Sequence, residues 1–429
     1  MTVLGLDIGT TTISAVVMRD GKVLAAKTLK NDSFLPDRPV WEKAQDVRQI
    51  VTVAMQTVNE LRTAYPEIER IGLTGQQHGI VYLDGSGTAL SPLYIWQDGR
   101  GDLPYDDSRS YASYLTELTG YPLATGYGLV THFYNLKNGL VPDNAKTFCT
   151  IHDYLAMLLA GTSSPRIDPS DAASFGFFDL EKGCFDIAAL ERAGMDPSIL
   201  PQLAKTPCIG GRELPVYAAI GDNQASFLGA TSGQPDCMLI NVGTGSQFSV
   251  HTPRYMTCPG LETRPFPLGG YLLVGSSLCG GRAYALLEGF FRKVADMLGS
   301  PVDSCYGAMA RLLDRAPAPE DPVKVIPLFQ GTRSDPTRRG SIENLSVDNF
   351  TPLSLLYGMM QGMTDELYEM YRCYTAQGGR CDKLYGSGNG LRKNAQLRKC
   401  FETAFGLPLI LSRNEEEAAC GAALFAAAN

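Results

Sequence analysis

Apolar residues open the chain in three short blocks separated by polar turns. Val3 to Leu6 leads into Asp7, Gly9 and three threonines, Ile13 to Met18 follows, and Arg19-Asp20-Gly21 turns the chain into Val23 to Ala26. Blocks of this length, punctuated by Gly and Asp, predict a strand, a turn, a strand, a turn and a strand. The period then changes. Val47, Ile50, Val51, Ala54, Val58 and Leu61 recur three and four residues apart, which predicts a helix closed by Pro66. Short apolar strands are predicted over 68–74, 80–83 and 93–96. The first runs into Gln76-Gln77-His78 and the last into Gln97-Asp98-Gly99-Arg100. In open α/β sheets ligands collect at such strand ends. Helices are predicted over 108–118, 131–137, 152–160 and 187–193, the third capped by Thr150. Between the last two lies a turn-rich run of small side chains, Asp171 to Gly176.

A strand over 216–220 delivers Gly221-Asp222-Asn223-Gln224, and a small-residue helix is predicted over 225–230. The chain then repeats its opening. Cys237 to Asn241 is apolar, Gly243-Thr244-Gly245-Ser246 is a Gly-hydroxyl turn, and 247–251 leaves as a strand. A hairpin recurring about 235 residues on implies two related modules. The boundary falls near 231–235, giving domains 1–231 and 232–429. The second module reads as a strand over 272–274, a helix over 281–298, a strand over 323–328 and a polar loop over 330–342 with Arg333, Arg338 and Arg339. A long helix over 353–374 follows. Leu384-Tyr385 then enters Gly386-Ser387-Gly388-Asn389-Gly390, and a helix over 394–405, a strand over 409–411 and a final helix from about 415 end the chain.

Composition narrows the function classes. The 429 residues are too many for one ordinary core. Thirty-seven basic against 45 acidic residues give a net charge of −8 with no long runs, which argues against a nucleic-acid or membrane-seeking surface. Eleven scattered cysteines without a C-x-x-C pair fit reduced thiols of a cytosolic protein. Asp7 interrupts the first apolar run, which argues against a signal peptide. No apolar run approaches the roughly 20 residues of a membrane span.

The turns suggest phosphate chemistry. Gly9 lets successive amides from Gly9 to Thr12 converge on one place, an anion cradle. Asp7 beside it would repel a bare phosphate and fits if Mg2+ stands between them. An ordinary hairpin with an acid in its turn is the plainer alternative. Two such hairpins and the Gly-rich stretch at 386–390 suggest ATP, although that stretch alone is a common turn. No Gly-x-x-x-x-Gly-Lys-Ser/Thr loop is present. Asp222 fits a general base taking the proton of an attacking hydroxyl, or a helix N-cap, and the hairpin that follows favours the base. Asp98 and Arg100 fit paired bonds to sugar hydroxyls or a solvated turn. His78 fits a hydroxyl partner or a structural histidine. Asp153 fits a helix cap. Trp96 reads as core before it reads as a surface stacked on a sugar.

Taken together these motifs resemble the FGGY carbohydrate kinases. The resemblance runs nearly end to end, through GLDIGTTT at 5–12, TGQQHG at 74–79, WQDGR at 96–100, HDYLAMLLAG at 152–161, GDNQAS at 221–226, NVGTGS at 241–246 and GSGNG at 386–390. It implies an α/β protein of two ribonuclease-H-like domains, of the actin/hexokinase/heat-shock ATPase fold, with a cleft between them. The first domain would hold the sugar and the second ATP. Asp222 would be the base and Asp7 the metal-side acid. Thr10, Thr11 and Thr12 would form one phosphate turn and Gly243, Thr244 and Gly245 the other, with Gly388 and Asn389 beside adenosine. Gln77, His78, Gln97, Asp98, Arg100, Asp222 and Asn223 would meet the sugar. WQDGR, DAASFGFFD, Thr131 after Gly128, and FQGTRSDPTRRGSI with its Gly331-Thr332-Arg333 core resemble one branch of the family. That branch implies phosphorylation of sedoheptulose, a seven-carbon ketose, on its terminal hydroxyl. Xylulose, ribulose or a polyol is the nearby alternative acceptor. An ATP-driven filament or chaperone needs no acid like Asp222, and retention of Asp7 and Asp222 speaks against a sensor without turnover. The partners expected are a small sugar and ATP with Mg2+, without nucleic acid or membrane. Oligomeric state is not legible.

Overall fold

The first three predicted strands form an antiparallel meander, Thr2–Ile8, Thr12–Arg19 and Lys22–Lys30. Arg70–Gly75 then lies parallel to the first. The computed structural model describes every residue except Arg212, Pro235, Arg333, Ser334 and Pro336. The sheet runs Cys208–Gly210, Val216–Tyr217, Arg70–Gly75, Thr2–Ile8, Thr12–Arg19, Lys22–Lys30, with Ile220–Gly221 also paired to Arg70–Gly75. Helix Val47–Ala64 starts where Asp46 accepts hydrogen bonds from the Arg48 and Gln49 amides. Of its predicted stripe, Val47, Ile50, Ala54, Val58 and Leu61 are buried in the core with Leu4, Leu6 and Leu73, and Val51 is half-buried against it.

The last helix, Glu417–Ala428, completes this sheet. Glycine makes its approach possible. A β-carbon on Gly5 or Gly72 would lie 2.0 or 2.1 Å from the carbonyl oxygens of Ala419 and Ala422. One on Gly421 would lie 1.8 Å from the carbonyl of Ala225, on helix Asp222–Ala230. Glycine and alanine therefore let backbone touch backbone on both faces of the final helix.

Two compact units result. One comprises Met1–Gln234, Arg264–Tyr271 and Asn414–Asn429, the other Pro235–Thr263 and Leu272–Arg413. A cut at 231/232 assigns 264–271 and 414–429 to the second half, whereas the fold gives both to the first unit. A linear cut cannot register a helix that returns to the sheet on which the chain began.

The sheet of the second unit runs Glu262–Pro265, Tyr271–Ser277, Ser246–Thr252, Met238–Val242, Leu384–Ser387, Leu409–Leu411. Met238–Val242 is antiparallel to Ser246–Thr252 and parallel to Leu384–Ser387. This repeats the relation of Thr2–Ile8 to its two neighbours. Ile240, Phe248, Leu356, Met360, Leu367 and Phe401 share its core. Strand Glu262–Pro265 and helix Tyr306–Arg315 have no counterpart in the sequence-based assignment. The helix after Ile220 begins at Asp222 rather than 225, because Gly221 takes the cap position. Arg333 of the polar loop lies outside the described residues. Among the described residues no helix is long and apolar enough to cross a membrane.

Candidate active site

Asp7 is the last residue but one of the first strand and keeps part of its surface exposed. In register it faces Ser14 on one side and Thr74 on the other, and Ser14 faces Thr28. Ser14 Oγ and Thr28 Oγ1 are 3.1 Å apart, and Thr28 donates to Glu416 at 2.6 Å. A polar row thus crosses three strands and ends on an acid from the chain's last segment. Burial, then the charges of Asp222 and Glu416, push the Asp7 carboxyl up to about 7. Sequence reading missed Glu416, because its proximity to Asp7 depends on the return of the last helix.

Asp222 is the first residue of helix Asp222–Ala230. It therefore sits at the positive end of the helix, which favours its charged form. Burial raises its pKa, while Arg264, His152 and Asn223 oppose the rise. Asn223 Nδ2 donates to its Oδ1 at 2.9 Å. Gly221 holds the cap position and Asp222 is the first residue inside the helix, so the N-cap alternative does not describe it. Arg264 was also missed by sequence reading, for it arrives with the returning segment 264–271.

The turn after Asp7 is tied down from behind. Asn31 Nδ2 donates to the Gly9 carbonyl at 2.8 Å, Gln45 Nε2 to that of Thr10 at 2.8 Å, and the Asn31 amide to that of Thr11 at 2.8 Å. Across a planar trans peptide the N–H points opposite to the C=O. The amides of Thr10, Thr11 and Thr12 therefore face the other way, as a phosphate cradle requires. The Thr10 hydroxyl donates to Gln76 Oε1 at 3.0 Å and accepts from the Trp96 indole N–H at 3.0 Å. Trp96, expected in the core, is 46% exposed. Its indole N–H found a partner at the turn, which leaves the ring face to solvent.

Gln77 is buried, and His78 is partly exposed with a left-handed backbone, φ 71°. His78 stacks on Tyr127 at 4.7 Å between ring centroids. Gln97 is exposed. Asp98 and Arg100 are neither solvated nor turned outward: their exposures are 0 and 2%. Asp98 accepts from the Lys43 amide at 3.0 Å and from Arg100 Nε at 2.6 Å. Arg100 also bonds Asn135 and lies 4.0 Å over the Tyr94 ring. Both side chains are committed within the protein, so they hold the loop that carries Trp96 and Gln97. Asp153 is buried, and Thr150 caps its helix as expected, accepting from the Asp153 amide at 3.1 Å.

In the second unit the turn after Asn241 is held differently. Gly243 and Thr244 carbonyls accept from the backbone amides of Gly281 and Arg282, at 2.9 and 3.0 Å, at the start of helix Gly281–Met297. The Thr244 and Gly245 amides then face away. Gly388 has φ 84° and precedes the exposed Asn389. A β-carbon on Gly388 would meet the Val242 carbonyl oxygen at 2.5 Å.

Residues 2–229 match the N-terminal domain, and residues 238–429 the C-terminal domain, of the FGGY family of carbohydrate kinases. The chain belongs to this family. The kinase is 27% identical to the sedoheptulokinase of Homo sapiens, over 98% of this chain and 96% of that protein. It is 23% identical to the xylulose kinase of Staphylococcus xylosus, over 99 and 90% of the two chains. Its fold matches the crystal structure of xylulose kinase from Rhodospirillum rubrum, TM-score 0.84 at 23% identity, covering 100% of this chain and 89% of that one. It is thus an ATP-dependent carbohydrate kinase with the two-domain, actin-like ATPase fold.

Proposed function

We propose that this kinase transfers the γ-phosphoryl group of ATP to the terminal hydroxyl of sedoheptulose, giving sedoheptulose 7-phosphate and ADP. The observation that carries the chemistry is the placement of Asp222. It lies at a helix N-terminus, with the charge of Arg264 favouring its ionised form. Asp222 takes the hydroxyl proton as the oxygen–phosphorus bond forms and the bond to ADP breaks. Gln77, His78, Gln97 and Asn223 are assigned to the sugar, while Asp98 and Arg100 support it from behind. The amides of Thr10, Thr11 and Thr12 are offered to phosphoryl oxygens. Gly243, Thr244, Gly245, Gly388 and Asn389 are assigned to the nucleotide, so that 1–231 bears sugar and base and 232–429 bears ATP.

A divalent cation suits the donor set. Asp7 is an oxygen donor whose ionisation is opposed by two neighbouring carboxylates, Asp222 and Glu416. A hard cation such as Mg2+ relieves that repulsion and supplies charge neutralisation for the phosphates. The likeness to sedoheptulokinase, spanning nearly both chains, supports the choice of sugar. The test is ADP release from purified protein and MgATP against sedoheptulose, xylulose, ribulose, fructose, glycerol and no sugar. Turnover with sedoheptulose well above the others is expected. Preference for another sugar replaces the acceptor and keeps the chemistry, and ADP release indifferent to sugar overturns the reading.

A further inference from the structure

Segment 168–174 supplies no group to the chemistry above, yet it touches two that do, Gln77 and His78, and the residue before Asp222. Asp168 accepts from the Ser170 amide at 2.9 Å and the Ser170 hydroxyl at 2.6 Å. Ser170 Oγ in turn accepts from the amide of Gly221, the residue before Asp222, at 3.1 Å. The Ser170 carbonyl accepts from Gln77 Nε2 at 2.9 Å, and Asp171 Oδ1 accepts from the same nitrogen at 3.3 Å. Asp171 Oδ2 pairs with His152 Nε2 at 2.9 Å. Ser174 accepts from the His78 amide through Oγ at 3.1 Å and from His78 Nδ1–H through its carbonyl at 2.7 Å. Gln77, His152, Ser170 and Asp171 are at most 2% exposed.

These partners decide which end of the Gln77 amide points where. The Ser170 carbonyl can only accept. Asp171 Oδ1 also accepts, whether the proton shared with His152 rests on nitrogen or on Oδ2. Two acceptors at one end of a glutamine require its NH2 there. Oε1 therefore occupies the other end, where Arg264 Nη1 stands at 3.5 Å. Gly221 completes the seat, since a β-carbon there would lie 2.2 Å from Gln77 Nε2. The Ser174 carbonyl fixes His78 by the same logic. Nδ1 donates, because a carbonyl can only accept.

We propose that Asp171, held by His152, is a positioning residue that fixes Gln77 with its carbonyl oxygen toward the sugar, so that the loop at 77–78 recognises a polyol by the hydrogen atoms of its hydroxyls. This rests on the sugar-kinase reading above. Asp171 acts through Gln77 and touches no reacting atom. A ketose lacking the hydroxyl at that place leaves Oε1 with only the long 3.5 Å contact from Arg264 Nη1, a weaker pairing than a sugar hydroxyl adds.

An acid–amide exchange tests the assignment in the full chain, with kcat and KM measured for sedoheptulose and for ATP. Gln77→Glu sets a carboxylate against two acceptors. It should raise the sugar KM tenfold or more while the ATP KM stays within twofold. Adding Asp171→Asn restores a donor opposite the new acid, and the double variant should recover at least threefold in sugar KM. A general loss of packing would not be rescued in the sugar KM alone. An unchanged sugar KM in Gln77→Glu, or no recovery in the double variant, overturns the proposal. A second readout does not depend on turnover. The Gln77 side-chain amide protons, identified by NMR through their loss in Gln77→Glu, should exchange slowly in the wild type and quickly in Asp171→Leu. Fast exchange in the wild type overturns the seat. Inactivity of the wild type on every sugar overturns the functional reading instead, and the exchange rates then decide the seat.

Discussion

The two hairpin turns occupy equivalent places in the two sheets and differ in one decisive side chain. Asp7 and Ile8 pair with Ser14 and Ile13, and Asn241 and Val242 pair with Gln247 and Ser246. Thr74 lies beside Asp7 and Ser387 beside Asn241 on the parallel neighbour. The first turn thus has an acid where the second has an amide. Asn241 donates to Ser387 at 2.7 Å and is neutral at any pH. Asp7 has two acids nearby and a pKa raised to about 7. The backs of the turns differ too: side-chain amides of Asn31 and Gln45 hold the first, and backbone amides of a helix start hold the second. A common strand arrangement turns amides away from anchored carbonyls twice. An ionisable acid stands in only one of the two copies, Asp7 against Asn241.

The largest expected effect tests whether the chemistry belongs to the first unit. Asp222→Asn should lower kcat about 10^3-fold, near the middle of the range for general bases, with both KM values within a few fold. Near-normal kcat would remove Asp222 from the mechanism. Exchanging the distinguishing residue sharpens the comparison. Asp7→Asn should cost about 10^2-fold in kcat, and Asn241→Asp should raise the KM for ATP about tenfold by setting a charge beside the second turn.

The same exchange has a stability signature. The folded pKa of Asp7 lies above the ordinary value of 3.8, so the folded state holds a proton that the unfolded chain releases. Stability therefore falls as pH rises from about 4 to 7. In chelator at pH 8, Asp7→Asn should be more stable than wild type by on the order of 2 kcal/mol, allowing for the water that still reaches the carboxylate. The gain should vanish near pH 4. Denaturant melts at both pH values check this, and a gain independent of pH would contradict the assigned cause.

A smaller effect is expected behind the second turn. Gly281→Ala sets a β-carbon 2.4 Å from the Gly243 carbonyl oxygen. It should raise the ATP KM severalfold and leave the sugar KM alone, which steady-state kinetics with each substrate varied would show. Trp96→Phe should do least. It removes one hydrogen bond to Thr10, worth about 1 kcal/mol. A twofold to fivefold rise in the ATP KM is expected, and a larger change confined to the sugar KM would show that the ring itself meets the sugar.

Much of this was legible in local sequence. The meander, helix Val47–Ala64 and the recurrence of the hairpin follow from apolar spacing and Gly-hydroxyl turns, because these depend on neighbours within a few residues. Asp7, Asp222, Gln77 and His78 could be singled out because each follows a short strand. Contacts made over long sequence separations were not legible. Glu416 and Arg264 reach the site only because the chain returns to its first unit twice, and small-residue contacts such as Gly5 against Ala419 carry no pattern readable from one side alone. Asp98 and Arg100 looked like surface chemistry because a charged pair in a Gly-rich turn usually is. Trp41, Tyr134 and Asn135, distant in sequence, join the nearby Tyr94 to enclose the guanidinium instead. Segment 168–174 gave only small residues and turns. Its hold on Gln77, His78 and Gly221 exists because helix, loop and strand end meet there, and hydrogen-bond direction is set by partners that only the folded chain brings together.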